Sequence, residues 1–143
     1  MPQITFFEED IQYKLKEKTK VRQWIKDTIV AEGYQLDELT YIFFSDTYLL
    51  QINQQYLEHD TYTDIITFDN SSEKKTITGD IFISIDRIRE NAAKFNQTIA
   101  NELHRVIIHG LLHLLGYKDK SPDDRKKMTL MEDKYLEKRV FNV

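Results

Sequence analysis

Residues 109–119 read HGLLHLLGYKD and close an apolar segment that begins at Thr98. Apolar side chains in this segment recur on more than one side of a helical projection, which is typical of a buried helix. Gly116 then stops the helix, because glycine readily adopts the left-handed conformation that reverses the chain. The sequence therefore predicts a buried helix with a tight bend directly after it.

A polar stripe interrupts this apolar helix. Glu102, Arg105, His109 and His113 follow one another at spacings of three and four, so they share one face. The Cβ atoms of the two histidines should lie roughly 5–6 Å apart, which lets both imidazoles bind one metal ion. Asp119 lies just beyond the bend and can add a carboxylate, leaving a fourth position for water. We therefore predict a metal site formed by these two histidines and Asp119.

A simpler interpretation of the two histidines stays open. Two histidines at helical spacing can be core residues satisfied by hydrogen bonds, and taken alone this is the more frequent case. The bend at Gly116 and the acid that follows it favour the metal site. His104 lies about 140° around the helix from His109 and should point away from that site.

Composition limits the classes of protein and of site. The chain has 143 residues, the usual size of one domain, and its 41% hydrophobic and 31% charged residues are typical of a soluble globular protein. There is no cysteine, so any metal must be held by nitrogen and oxygen. The net charge of -4 gives no broad basic footprint for nucleic acid, so RNA binding would need a local patch. Neither a signal peptide nor a membrane-length apolar stretch is evident, so we expect cytoplasmic residence.

Four strand patterns and five helix patterns are interleaved along the chain, which excludes the all-α and all-β classes. We expect one sheet with helices packed on it, in a single domain over residues 1–143. The predicted strands are 4–7, 39–44, 63–68 and 79–85. The predicted helices are 19–33, 45–56, 86–95, 98–115 and 121–139, with Thr19, Ser45 or Asp46, Asp86, Thr98 and Ser121 as their N-caps.

The segment 109–119 resembles the signature of the YbeY family of bacterial endoribonucleases, whose pattern is His-Gly-x-Leu-His-Leu-x-Gly-Tyr-Asp-His. Other parts of the chain agree with the family in the same order, over a span from about residue 52 to residue 132. These parts are Asn53 and Tyr56, the segments 63–68 and 79–81, and Met128 with Glu132.

The resemblance implies an α+β, zincin-like single domain with a mixed four-stranded sheet and about five helices. It implies one zinc ion at the motif's three ligand positions, which are His109, His113 and Asp119 here. It further implies a zinc-dependent endoribonuclease that cleaves single-stranded RNA in ribosomal RNA maturation and ribosome quality control. The expected partners are single-stranded ribosomal RNA and ribosomal particles, with no DNA and no membrane.

The chain departs from the family pattern at two positions. Asp119 stands where most of the family has histidine, and its negative charge should make a bound water less acidic and harder metals more competitive. Leu57 stands where the family usually has an arginine suited to gripping phosphate. Cations that can take over this contact are His59, Lys74, Lys75, Arg87, Lys118 and Lys120.

Two other functions compete with RNA cleavage. A zincin-like metallopeptidase would have a glutamate after the first histidine as general base, but Gly110 occupies that position. A non-catalytic module would need a fourth protein ligand to close the zinc site. The spare ligands for such a site are His59, His104, Asp123 and Asp124. A hydrolase of either kind would also need a general base. The acids that can approach the site are Asp64, Asp80 and Glu102, and the sequence assigns this role to none of them.

Overall fold

The computed structural model describes residues 2–47, 64–139 and 141. Within them, four strands and four helices follow one another in the predicted order. In chain order they are β1 (Gln3–Glu8), α1 (Lys18–Ala31), β2 (Gln35–Phe44), β3 (Ile65–Asp69), β4 (Thr76–Ser84), α2 (Ile85–Lys94), α3 (Ile99–Leu114) and α4 (Pro122–Leu136).

The four strands form one mixed sheet in the order β1-β2-β4-β3. Strands β1, β2 and β4 run parallel, and β3 pairs antiparallel with β4. The polar connection 70–75 joins β3 to β4 as a mostly exposed hairpin loop. The expectation of an α+β fold with a mixed four-stranded sheet is therefore confirmed.

All four helices share one hydrophobic core with one face of the sheet. Alternate side chains of a strand point to the same face, and Tyr41 of β2 and Ile81 of β4 are fully buried beneath the helices. Helix α3 lies at the centre of this core, where Leu103, Ile107 and Leu111 are likewise fully buried. The prediction that this helix is buried is confirmed, and its polar stripe is left at the edge of the core.

Local signals set the two ends of α3. The Thr98 hydroxyl accepts a hydrogen bond from the Asn101 N–H at 3.0 Å, as an N-cap does. Gly116 has a φ of +100°, the left-handed conformation that the sequence predicted for the bend. Ser121 caps α4 in the same way as Thr98, by accepting from the Asp124 N–H at 3.0 Å. The segment that carries the predicted site is therefore built as expected.

Two predicted caps were wrong. Helix α1 begins at Lys18, with Glu17 as N-cap in the left-handed conformation and no capping bond from a side chain, so Thr19 is already inside the helix. Helix α2 is capped by Ser84, whose hydroxyl accepts from the Arg87 N–H at 3.2 Å. Asp86 lies in the first turn of α2 instead, and its carboxylate accepts from the Asp46 N–H at 2.9 Å.

The wrong cap and the wrong strand end at α2 have one cause, which is that β4 continues into the helix without a loop. Ser84 ends the strand in an extended conformation, so Ile85, predicted as the last strand residue, is the first residue of the helix.

Strand β2 begins earlier than predicted, at Gln35. Gln35 pairs with Thr76 at the start of β4, a contact that no local sequence pattern predicts.

The fifth predicted helix, 45–56, lies mostly outside the described residues. Only Asp46 and Thr47 have helical backbone within them. The described residues contain four helices instead of about five, and none of these four is long and apolar enough to cross a membrane. The predicted residues that lie outside the description are Leu49, Leu50, Ile52, Asn53, Tyr56, Leu57, His59 and Thr63, together with the polar segment 57–62.

Candidate metal centre

The three predicted ligands lie together at the C-terminal end of α3. His109 and His113 project from successive turns, and the bend at Gly116 returns the chain so that Asp119 faces them. The Nε2 atoms of the two histidines are 3.0 Å apart. Oδ2 of Asp119 lies 3.2 Å from Nε2 of His113 and 3.4 Å from Nε2 of His109. Each of the three predicted residues thus contributes one atom to a small triangle, formed by the two Nε2 atoms and Oδ2 of Asp119.

The donor set fits a metal ion. Tetrahedral zinc held at roughly 2.0–2.1 Å by nitrogen and oxygen separates its ligand atoms by about 3.3 Å. The three separations in the triangle bracket this value. The side chains of His109, His113 and Asp119 are 22%, 26% and 40% exposed, so solvent and substrate can reach the triangle. The arrangement suits an open site better than a closed structural one.

Hydrogen bonds on the far side of each imidazole select its tautomer. Nδ1 of His109 donates to Oε2 of Glu132 at 2.6 Å, and Nδ1 of His113 donates to the Tyr117 carbonyl at 3.2 Å. Both partners are acceptors, so each Nδ1 holds the proton and each Nε2 presents its lone pair to the triangle. Both imidazoles therefore have the tautomer that a metal ligand needs.

The charges around His109 also act on its protonation. Burial lowers the pKa of His109, but the hydrogen bond that His109 donates to Glu132 and the charges of Glu132 and Asp119 outweigh burial and raise it. A metal binds the neutral imidazole, so a proton competes with the metal at acidic pH. Metal affinity should therefore fall as the pH is lowered.

Glu132 connects the site to α4, a role that no pattern in the sequence predicted. Its Oε1 accepts from Arg105 Nη1 at 2.7 Å, while Arg105 Nη2 donates to Asp133 at 2.7 Å. Arg105 of α3 therefore forms ion pairs with two acids of α4, Glu132 and Asp133. The place of Arg105 on the polar stripe, one turn before His109, was the signal that an acid partner was needed nearby.

The three acids considered as a general base lie in different places. Asp80 is on the sheet face opposite to α3, where it accepts from Asn70 Nδ2 at 3.1 Å, so it does not approach the site. Burial raises the pKa of Asp64, and the charge of His109 partly offsets this effect. Glu102 is buried on the polar stripe two turns before His109.

Other residues singled out from the sequence lie away from the triangle. His104 packs against Trp24 and accepts from Arg139 at Nδ1, at 2.9 Å, so it points away from the site as predicted. Burial lowers its pKa to about 4.

Arg87, another residue singled out from the sequence, is paired with Asp46 at 2.8 Å. Among the described residues, the one group able to hold a metal comprises His109, His113 and Asp119, so His104, Asp123 and Asp124 do not close it.

Glu102 provides a prediction about stability. It is 8% exposed, and its Oε2 has no hydrogen-bond partner among the described residues. Burial and the charges of Asp64 and Glu132 raise its pKa above the ordinary 4.5, although Arg105 opposes them. The folded protein thus holds this proton more tightly than the unfolded chain does, so stability falls as the pH rises past the unfolded value. We expect Glu102→Gln to raise the free energy of unfolding at pH 7 by about 1 kcal/mol.

Urea unfolding at pH 5 and pH 7.5 measures this effect. The gain should be larger at pH 7.5, where the wild-type carboxyl is more fully ionised. Glu38→Gln, at an exposed position of β2, is the matched control and should change little. A Glu102→Gln protein less stable than the wild type at pH 7.5 would contradict this account of the buried carboxyl.

The fold and the triangle together define a small α+β protein with a solvent-accessible His-His-Asp group suited to a metal ion. The family model described as Endoribonuclease YbeY matches residues 3–139. The chain belongs to this family.

Individual relatives agree over nearly the whole chain. The chain is 53% identical to Endoribonuclease YbeY of Cytophaga hutchinsonii over 138 residues, covering 96% of both chains. It is 48% identical to Endoribonuclease YbeY of Flavobacterium psychrophilum over 137 residues, again covering 96% of both. Among solved structures, the solution structure of TM1509 from Thermotoga maritima matches with a TM-score of 0.66 and 28% identity, covering 94% of this chain and 87% of that one. The resemblance inferred from the sequence is therefore confirmed.

Proposed function

We propose that this protein is a zinc-dependent endoribonuclease that cleaves single-stranded ribosomal RNA during ribosomal RNA maturation. The observation that carries the proposal is the triangle of His109, His113 and Asp119, exposed to solvent in a chain of the Endoribonuclease YbeY family. On this proposal the chain is one cytoplasmic hydrolase domain over residues 1–143. Its partners are single-stranded ribosomal RNA and ribosomal particles, and not DNA or a membrane.

The residues of the site have separate roles in this reaction. His109, His113 and Asp119 would hold the ion, which when bound acts as a Lewis acid and makes a water acidic. Glu132 and the Tyr117 carbonyl keep the two imidazoles in the ligating tautomer. Lys118 and Lys120 flank Asp119 as exposed cations that can contact the phosphates of the RNA backbone.

A metallopeptidase fits the structure less well. A Cβ atom at Gly110 would lie 2.8 Å from Cδ1 of Ile65 and 3.0 Å from Cγ2 of Ile81. Position 110 therefore faces the sheet, and it has no room for the glutamate that peptidases with the His-Glu-x-x-His motif use as a base. A larger residue at position 110 would have to displace the side chains of Ile65 and Ile81.

Metal removal tests the proposed function. Zinc-loaded protein should cleave a single-stranded RNA with the sequence of a ribosomal RNA end. The same RNA annealed to its complement should stay intact. Treatment with a chelator should lower cleavage by more than about tenfold, because the ion provides the acidified water, and added zinc should restore it. Hydrolysis of a generic peptide library by the same preparation, with the RNA left intact, would overturn the proposal in favour of a peptidase.

A further inference from the structure

The side chain of Glu32 joins three segments of the chain. Glu32 follows α1 directly, and its backbone N–H donates to the Thr28 carbonyl at 3.1 Å. Its Oε1 accepts from the Tyr117 hydroxyl at 2.7 Å, and its Oε2 accepts from the Tyr135 hydroxyl. One carboxylate from α1 therefore holds both the bend after α3 and the last helix.

Tyr117 is the residue through which this contact reaches the metal centre. Its N–H donates to the Leu112 carbonyl at 3.0 Å, and its own carbonyl accepts from Nδ1 of His113 at 3.2 Å. Asp119 follows two residues later. The backbone of Tyr117 thus orients one ligand directly and leads to another, while its hydroxyl is fixed by Glu32.

The second phenol gives Glu32 a rigid support. Tyr135 is 1% exposed, and its carbonyl accepts from the Trp24 indole N–H at 2.7 Å. Two hydrogen bonds therefore tie α4 to α1 at this point, one through Glu32 and one through Trp24. A third tyrosine, Tyr34, donates from its hydroxyl to the Leu115 carbonyl at 3.1 Å and further fixes the start of the bend.

We propose that Glu32 is a positioning residue for the metal centre, which holds Tyr117 so that His113 and Asp119 keep their ligating geometry. The inference rests on the proposed function for the presence of the ion, although Glu32 itself contacts no ligand in the triangle. Residues that orient metal ligands commonly contribute about 10–100-fold to metal affinity. Loss of Glu32 should therefore weaken zinc binding without removing a donor atom.

Three single variants separate this role from simple stabilisation. Glu32→Ala removes both contacts, Tyr117→Phe removes the one toward the bend, and Tyr135→Phe removes the one toward α4. Zinc affinity, measured by competition with a chromogenic chelator, should fall about tenfold in Glu32→Ala and in Tyr117→Phe. The Glu32→Ala/Tyr117→Phe double variant should lose no more than Glu32→Ala alone, because both changes break one linkage. Tyr135→Phe should lower the thermal midpoint but keep wild-type zinc affinity.

Amide hydrogen exchange of the metal-free proteins gives a second readout. Exchange at residues 116–119 should be faster in Glu32→Ala and Tyr117→Phe than in the wild type or Tyr135→Phe. This measurement needs neither zinc nor RNA, so it decides the role of Glu32 even where RNA cleavage fails. Wild-type exchange and wild-type zinc affinity in Tyr117→Phe, or equal losses in Tyr117→Phe and Tyr135→Phe, would overturn the proposal.

Discussion

Replacing His113 by alanine is expected to lower RNA cleavage by more than about 100-fold, an effect beyond that of removing a residue that only orients a ligand. Nε2 of His113 lies within 3.2 Å of both other donor atoms, so its loss leaves only two ligands. The hydrogen bond to the Tyr117 carbonyl is lost as well. Bound zinc and cleavage should therefore disappear together, and both are measured on the same zinc-equilibrated sample.

The same helix offers a matched control for this experiment. His104 lies on another side of α3, in contact with Trp24 and Arg139. His104→Ala should lower stability, because it leaves a cavity in the core, but it should leave the zinc content unchanged. Equal cleavage by His113→Ala and the wild type would refute the metal-dependent function.

Replacing Asp119 should separate the charge of the third ligand from its ability to bind metal. We expect Asp119→Ala to lower zinc affinity by at least about 10–100-fold, since a direct ligand is lost. Asp119→His should keep the metal, because an imidazole is an equally suitable zinc ligand. The histidine variant should also make a bound water more acidic, since it removes a negative charge beside the ion.

Titration of each variant with zinc in the presence of a chromogenic chelator measures these affinities. Asp123→Ala is the control, because Asp123 is an exposed acid in the first turn of α4 and lies outside the triangle. Unchanged zinc affinity in Asp119→Ala would remove Asp119 from the site and leave the two histidines without their predicted third partner.

Local patterns were enough to predict the segment that carries the site. Three local signals specify α3: its apolar residues, the cap at Thr98 and the glycine at 116. Each signal lies within a few residues of the structure that it specifies. The same holds for the Ser121 cap and Pro122 at the start of α4. For this reason the three residues of the triangle could be named from the sequence.

Contacts between distant segments could not be predicted in this way. The bond from His109 to Glu132 spans 23 residues, and the bond from Tyr117 to Glu32 spans 85. Neither periodicity nor capping chemistry reports such separations. The missed cap at Ser84 has a related cause, because the hydrogen bonds between β4 and its two neighbouring strands set where the strand ends.

X-ray absorption spectroscopy on protein saturated with zinc tests the metal centre most directly. We predict one zinc ion per chain, with two imidazole nitrogens and oxygen donors at about 2.0–2.1 Å. The oxygen donors would come from Asp119 and from a water at the open position. A protein that takes up no zinc, or a bound ion whose spectrum lacks two imidazoles, would contradict the assignment of His109, His113 and Asp119 as its ligands.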